Sequence, residues 1–217
     1  MNISENILKR SLKNVYFLTG TACAGKTTMC KAIAEKHGFI FFNSNHRADE
    51  FDSWAELCDI RYQKVSGQKI TDWECFFNRP TEEYLKWLAQ VSGEYFEYGI
   101  VEIIKLSQKN TVITDIEIPF DLIQTILDYN QIACLITTPD LLIRDFYGRE
   151  DHRDIFECIM SLKNPEQSLE KNKEVLRTSC LRITDKVLKS GLYYLKRDEN
   201  STVENSLALL ESHFRLA

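Results

Sequence analysis

The stretch that most constrains this chain is Val15-Tyr-Phe-Leu-Thr-Gly-Thr-Ala-Cys-Ala-Gly-Lys-Thr-Thr28. An apolar run enters a loop spaced G-x-x-x-x-G-K-T from Gly20 to Thr27, and the loop opens a helix carrying Met29, Ile33 and Ala34. Strand, loop and helix in that order form the setting of a Walker A phosphate loop. Glycine permits the tight backbone path, and successive N–H groups beside a helix N-terminus make an anion cradle. The cradle comprises Gly20, Thr21, Ala22, Cys23, Ala24, Gly25, Lys26 and Thr27. Lys26 is placed to extend over the β- and γ-phosphates of a triphosphate, and the Thr27 hydroxyl to complete the shell of a Mg²⁺ ion. Thr28 either holds a phosphate too or bonds back into the first helical turn. Cys23 reads as a small side chain filling the loop, with an activated thiol as the alternative.

A chain of 217 residues can bury one substantial core and has room for a small inserted subdomain. Its 44% hydrophobic content fits a globular protein, and its net charge of -5 offers no global attraction to nucleic acid or anionic membrane. No apolar stretch approaches the length of a membrane span, and the opening MNISENILKRSLKN lacks the apolar core of a signal peptide. The cytoplasm is the expected location. Seven scattered cysteines without a C-x-x-C pair read as mostly buried thiols, not as a disulfide set or a zinc site.

Apolar runs predict strands at 15–19, 39–42, 111–115, 132–136 and 192–195. Between them, helical patterns cover about 26–36, 80–107, 120–129 and 168–188, and Ser201 or Thr202 caps a final helix. A short amphipathic helix is expected over 2–13, with Ser4 as a cap. Further helices are expected over part of 52–63 and near 72–77. Strands alternating with helices make a three-layer α/β domain with a parallel sheet the economical packing. Residues 43–80 are long for a connection and mix polar with aromatic residues, which predicts an acceptor-binding insertion. The charge-rich residues 144–165 are a candidate lid.

Asp115 ends the third predicted strand, on the side where open parallel sheets bind ligands. It either positions Mg²⁺ or deprotonates an acceptor, and Glu117 shares the task if the chain stays extended. A helix cap for residue 120 is the plainer role for Asp115. Arg149 and Arg153 share a helical face if residues 149–153 are helical, and they are candidates to neutralise charge on a moving phosphoryl group, with Arg144 behind them. Their alternation with Asp145, Glu150, Asp151 and Asp154 equally describes a solvated face, and His152 reads as a surface residue. Arg47, Asp49 and Arg79, with His46 nearby, are the candidate acceptor contacts. Trp54, Trp73 and Trp87 with Tyr62 and Tyr84 form either a stacking wall or the core of the insertion. Lys196, Arg197 and Asp198 follow the fifth strand and are placed to border an adenine.

On the 20–27 loop, the strand ending at Asp115 and the arginine-bearing segment between strands four and five, the chain resembles the P-loop small-molecule kinases. The similarity is to the nucleoside monophosphate kinase, shikimate kinase and chloramphenicol phosphotransferase group. That resemblance implies a single P-loop kinase-like domain over 1–217, sheet order 2-3-1-4-5, lid arginines that clamp phosphates, and an insertion that receives the acceptor. It implies ATP and Mg²⁺, and a small-molecule acceptor, with nucleotides among the options. The chain departs from it in having no D-G-F-P segment: Asp115-Ile-Glu-Ile-Pro119 stands in that place. The resulting expectation is ATP-dependent transfer of the γ-phosphate to a small molecule, with Lys26, Asp115, Arg149 and Arg153 as the catalytic set. A nucleotide-controlled regulatory ATPase without an acceptor is the competing reading. Lack of a basic stripe argues against a nucleic-acid substrate.

Overall fold

The computed structural model describes residues 5–43, 47–56 and 70–216. Five parallel strands form one sheet: β1 (Val15–Gly20), β2 (Ile40–Phe42), β3 (Val112–Thr114), β4 (Ile132–Ile136) and β5 (Tyr194–Lys196), in the order β2-β3-β1-β4-β5. This is the order the resemblance implies. In the register, Phe17 lies opposite Thr114 on one side and Ile132 on the other. β3 therefore ends beside Phe17, three residues before β1 ends at Gly20, and Asp115 emerges on the same carboxyl side of the sheet as the loop after β1.

Side chains alternate between the faces of a strand, so each strand feeds two cores. Val15, Phe17, Val112 and Ile132 pack on one face beneath α1 (Glu5–Ser11), α5 (Thr81–Ser107) and α6 (Phe120–Ile126). Leu18, Ile113, Ala133 and Leu135 pack on the other beneath α2 (Lys26–His37) and α10 (Val203–Phe214). This is the expected three-layer arrangement. Gly99 of α5 shows how tightly the layers meet: a Cβ there would stand 2.3 Å from Ile116 Cδ1, so the helix lies directly over the end of β3.

Two long helices carry the structure beyond the sheet. At its sheet end α5 buries Phe96, Ile100 and Ile103, and its first turns supply Tyr84, Trp87 and Leu88 to a second core. The 26-residue α9 (Pro165–Ser190) likewise runs from Leu169 and Val175 in that second core to Val187 against β4. Phe76 and Phe77 of α4 (Trp73–Asn78) and Ile155, Cys158 and Ile159 of α8 (Arg153–Met160) complete the second core. Residues from the expected insertion and from the expected lid are thus packed into one helical body. Polar contacts join them as well: Lys163 N–H donates to Glu74 Oε2 at 3.0 Å, and Asn78 Nδ2 donates to Ser168 Oγ at 3.0 Å. Trp87 sits in this core and Trp54 packs on Phe51 and Tyr98, whereas Trp73 is 43% exposed and lies against the rings of Phe76 and Phe77 from outside.

Several boundaries differ from those read in the sequence. The helix expected over 120–129 ends at Ile126; Asp128 and Gln131 then cap each other around a 3₁₀ turn over Tyr129–Gln131. α9 starts at Pro165, before the expected 168, because proline is favoured in the first turn of a helix. The fifth strand begins at Tyr194, although the Tyr193 carbonyl already accepts from Cys134 N–H of β4 at 2.9 Å, and the Tyr193 ring stacks on His213 at 4.1 Å. Thr202, not Ser201, caps α10, accepting from Asn205 N–H at 3.2 Å. α3 (Ala48–Glu56) covers part of the helix expected over 52–63. The remainder, with His46, Tyr62 and the Ser4 cap, lies outside the described residues.

Candidate functional site

The loop after β1 has a backbone that its sequence specifically permits. Gly20 has φ +120°, and a Cβ on it would stand 2.0 Å from the Leu135 carbonyl oxygen, so only glycine lets β1 lie so close to β4 there. Thr21 is fully buried; its N–H donates to that same carbonyl at 3.0 Å, and its hydroxyl accepts from Thr137 N–H at 2.9 Å. Gly25 at φ +91° begins α2 and has no side chain to satisfy the N–H groups of the first turn. Those groups and the helix dipole are left for an anion. Thr28, in the first turn of α2, is exposed.

Cys23 adopts the left-handed region at φ +55°, where a side chain normally costs energy. Its environment holds it there. The thiol is buried against Leu142 of α7 (Pro139–Phe146) and Cys180 of α9. The Arg197 guanidinium donates to the Cys23 carbonyl and is itself ion-paired to Asp145 Oδ2 at 2.8 Å. Burial pushes the Cys23 thiol above its ordinary value, while a hydrogen bond from Arg149 and the positive charge of Lys26 pull it back. The raised value supports the loop-filling reading over an activated thiol.

Lys26 folds back across the loop, donating to the carbonyls of Gly20 at 3.2 Å and Thr21 at 2.6 Å. Burial pulls its ammonium below the usual lysine value, and the carboxylates of Glu117 and Asp115 push it back up. Thr27 Oγ1 donates to Asp115 Oδ2 at 2.5 Å, tying the end of the loop to the end of β3. Asp115 Oδ1 is shielded from solvent and has no hydrogen-bond partner, the one such side-chain atom among the described residues. A buried carboxylate oxygen without a partner costs roughly 1–3 kcal/mol, and it marks a place where a partner belongs. A hydroxyl and a carboxylate side by side are the hard oxygen donors that suit Mg²⁺, which takes the rest of its shell from water and phosphate. Among the described residues no group of three or more His, Cys, Asp or Glu forms a cage for a metal.

The parallel sheet in the order 2-3-1-4-5, with the glycine loop between β1 and α2, settles the fold class. The fold is that of a P-loop NTPase. No protein-family model matches the chain, and no curated protein matches it. Solved structures do resemble it. A shikimate kinase from Acinetobacter baumannii in complex with shikimate aligns over 98% of this chain and 96% of its own, at 17% identity and a TM-score of 0.46. A shikimate kinase from Bacteroides thetaiotaomicron aligns over 93% and 98%, at 18% identity and 0.46. A dephospho-CoA kinase from Campylobacter jejuni aligns over 93% and 96%, at 19% identity and 0.44. At this distance the likeness carries no argument about the reaction, which is read from the P-loop and its surroundings alone.

Of the other residues singled out by sequence, Arg149 is brought to the P-loop through its hydrogen bond with Cys23. Arg153 is exposed and paired with its own helix at Glu157, 2.7 Å away, while Arg144 bridges Asp145 at 2.9 Å and Glu199 at 3.4 Å. The His152 ring lies tilted against Phe146, centroids 4.0 Å apart. Arg47 pairs with Glu50 and faces the rings of Phe42 and Phe51; Asp49 is exposed on α3. Arg79 donates to the Phe76 carbonyl at 2.8 Å and lies 3.9 Å over the Phe76 ring. Two contacts were not read in the sequence. Ser92 Oγ donates to Glu117 Oε2 at 2.7 Å, and Arg197 reaches the Cys23 carbonyl. Arg197 carried a weak signal, as a basic residue following a strand at the ligand end of the sheet; Ser92 carried none. No helix among the described residues is long and apolar enough to cross a membrane.

Proposed function

We propose that the chain is an ATP-dependent phosphotransferase that moves the γ-phosphate to a small-molecule acceptor. The observation that carries this reading is the Thr27–Asp115 pair at 2.5 Å, with Asp115 Oδ1 buried and unpaired beside it at the mouth of the loop. Thr27 and Asp115 would hold Mg²⁺, directly or through water. When bound, the ion neutralises charge on the β- and γ-phosphates.

The chain's own residues supply the rest. Gly20 to Thr28 would wrap the phosphates, with the loop amides and the N-terminus of α2 facing the charge. Lys26 would leave its two carbonyl partners and follow the transferred group, stabilising charge that develops on its equatorial oxygens. Leaving costs little that is not regained, since a phosphate oxygen replaces a carbonyl as acceptor and adds a full charge. Arg149, already against Cys23, would neutralise charge from the lid side. Arg153 would join it only by giving up Glu157. Residues 43–80 and 144–165 would cover the acceptor, with Arg47, Asp49 and Arg79 as contacts on that side.

The test is a screen for acceptor-dependent ADP formation with mass detection of the phosphorylated product, run on the wild type and Lys26→Ala. We expect Lys26→Ala to lose about 10²- to 10³-fold in kcat while melting within a few degrees of the wild type. Equal turnover by the variant would contradict the reading.

A further inference from the structure

Asp115 and Glu117 stand two residues apart, and burial alternates between them. Ile116 and Ile118 are each 1% exposed, whereas Asp115 is half-buried and Glu117 exposed. The two apolar side chains turn toward α5 and the sheet face beneath it, where Ile116 meets Gly99. The two acids therefore share the opposite side, as residues i and i+2 of an extended segment do. Their surroundings differ. Asp115 is committed on one oxygen to Thr27 and is recessed on the other. Glu117 is held by Ser92 of α5 at 2.7 Å and stays open to solvent, where a second substrate can reach it.

We propose that Glu117 is the catalytic residue that takes the proton from an alcohol acceptor, oriented by Ser92, while Asp115 serves Thr27 and the metal. The proposal rests on the phosphoryl-transfer reading above. In the step, the acceptor O–H bond breaks and its proton passes to a Glu117 carboxylate oxygen. The acceptor oxygen bonds to the γ-phosphorus, and the bond from that phosphorus to the β,γ-bridging oxygen breaks, its electron pair leaving with ADP.

Glu117 also bears on the class of acceptor. A phosphate acceptor is already ionised at neutral pH and needs no base, and its charge would be repelled by a carboxylate at that position. An alcohol needs its proton removed and meets no such repulsion. The arginines that sequence offered for an anionic acceptor have other partners: Arg47 pairs with Glu50, and Arg79 with the Phe76 carbonyl and the rings around it. Lys26, which lies within the field of both acids, would face the γ-phosphate between them.

The experiment uses the full chain with ATP and Mg²⁺ and two acceptor sets, neutral alcohols (sugars and nucleosides) and nucleoside monophosphates. Wild type, Glu117→Gln, Ser92→Ala and Ser92→Thr are compared for kcat, for acceptor KM, and for ATP affinity with and without Mg²⁺. The slow transfer to water gives the same comparison where no member of either set is turned over. We expect turnover of an alcohol and not of a monophosphate. Glu117→Gln should lower kcat about 10²- to 10⁴-fold and leave Mg²⁺-dependent ATP affinity within about twofold. Ser92→Ala should lower kcat by less while leaving the acceptor KM unchanged, with Ser92→Thr restoring kcat, a split that a merely structural serine would not give. Retained kcat in Glu117→Gln, turnover of monophosphates alone, or loss of Mg²⁺-dependent ATP affinity in that variant would each overturn the assignment. A wild type that binds no ATP would instead overturn the phosphoryl-transfer reading itself.

Discussion

Gly20 is where a single atom decides whether the loop forms. A methyl group there would sit 2.0 Å from the Leu135 carbonyl oxygen at a backbone angle that side chains avoid. The obstruction is backbone inside the β1–β4 pair, so it cannot swing aside. Gly20→Ala should therefore cost about 3 kcal/mol or more, read as a lower urea midpoint; a midpoint equal to that of the wild type would contradict the close approach. Asp115 is the converse case, a residue whose present surroundings are incomplete. Its unpaired oxygen is a cost to the free protein, so Asp115→Asn should fold at least as stably as the wild type in chelator while losing the Mg²⁺ dependence of ATP affinity. Unchanged Mg²⁺ dependence would remove Asp115 from the metal. The positions of the loop and of Asp115 were both legible in the sequence, because each is written locally: a spacing of glycines, and an acid just past a strand. The Arg197 contact with Cys23 was not, because it joins residues 174 positions apart in the chain.

At the level of elements, α10 shows how a titrating side chain can fasten a helix to the sheet. His213 Nε2–H donates to the Ile132 carbonyl at 2.8 Å, and the ring stacks on Tyr193. Burial holds its pKa below the ordinary histidine value, with the Ile132 hydrogen bond pushing back. In the window between the depressed folded value and about 6.5, the unfolded chain binds the proton more readily than the folded one. The neutral ring's contribution is complete above that window and is lost as pH falls through it. Urea midpoints should therefore drop below about pH 6.5, and less so in His213→Gln; parallel pH curves for the two proteins would contradict this. Helix and strand positions were largely readable from periodicity, as the 27-residue α5 and β4 show. The ends were not: the helix expected to reach 129 stops at Ile126, where Asp128 and Gln131 cap each other around a 3₁₀ turn.

For the molecule as a whole, the sheet order followed from a resemblance carried by very few residues, and the helical body beyond the sheet did not follow from anything local. Sequence reading separated residues 43–80 from residues 144–165 as insertion and lid. In the structure, Phe76, Tyr84, Ile159 and Val175 from both regions and their supporting helices bury one another. Nothing in the order of apolar residues along the chain says that two such patches face each other. If they form one unit, Phe76→Ala, which removes a buried ring at a cost of about 3–5 kcal/mol, should raise hydrogen exchange in α8 as well as in α4. Exchange confined to α4 and the first turns of α5 would show two independent pieces. The segments proposed as acceptor-binding insertion and lid would then move together. The central claim, however, is that residues 20–28 wrap a triphosphate, and it is tested most directly by following the backbone amides of the chain by NMR as ATP is added with Mg²⁺. Saturable shifts are expected at Gly20 to Thr28 and at Asp115, abolished or much weakened in Lys26→Ala. Saturation that leaves those amides unmoved, or no saturation at all, would contradict it.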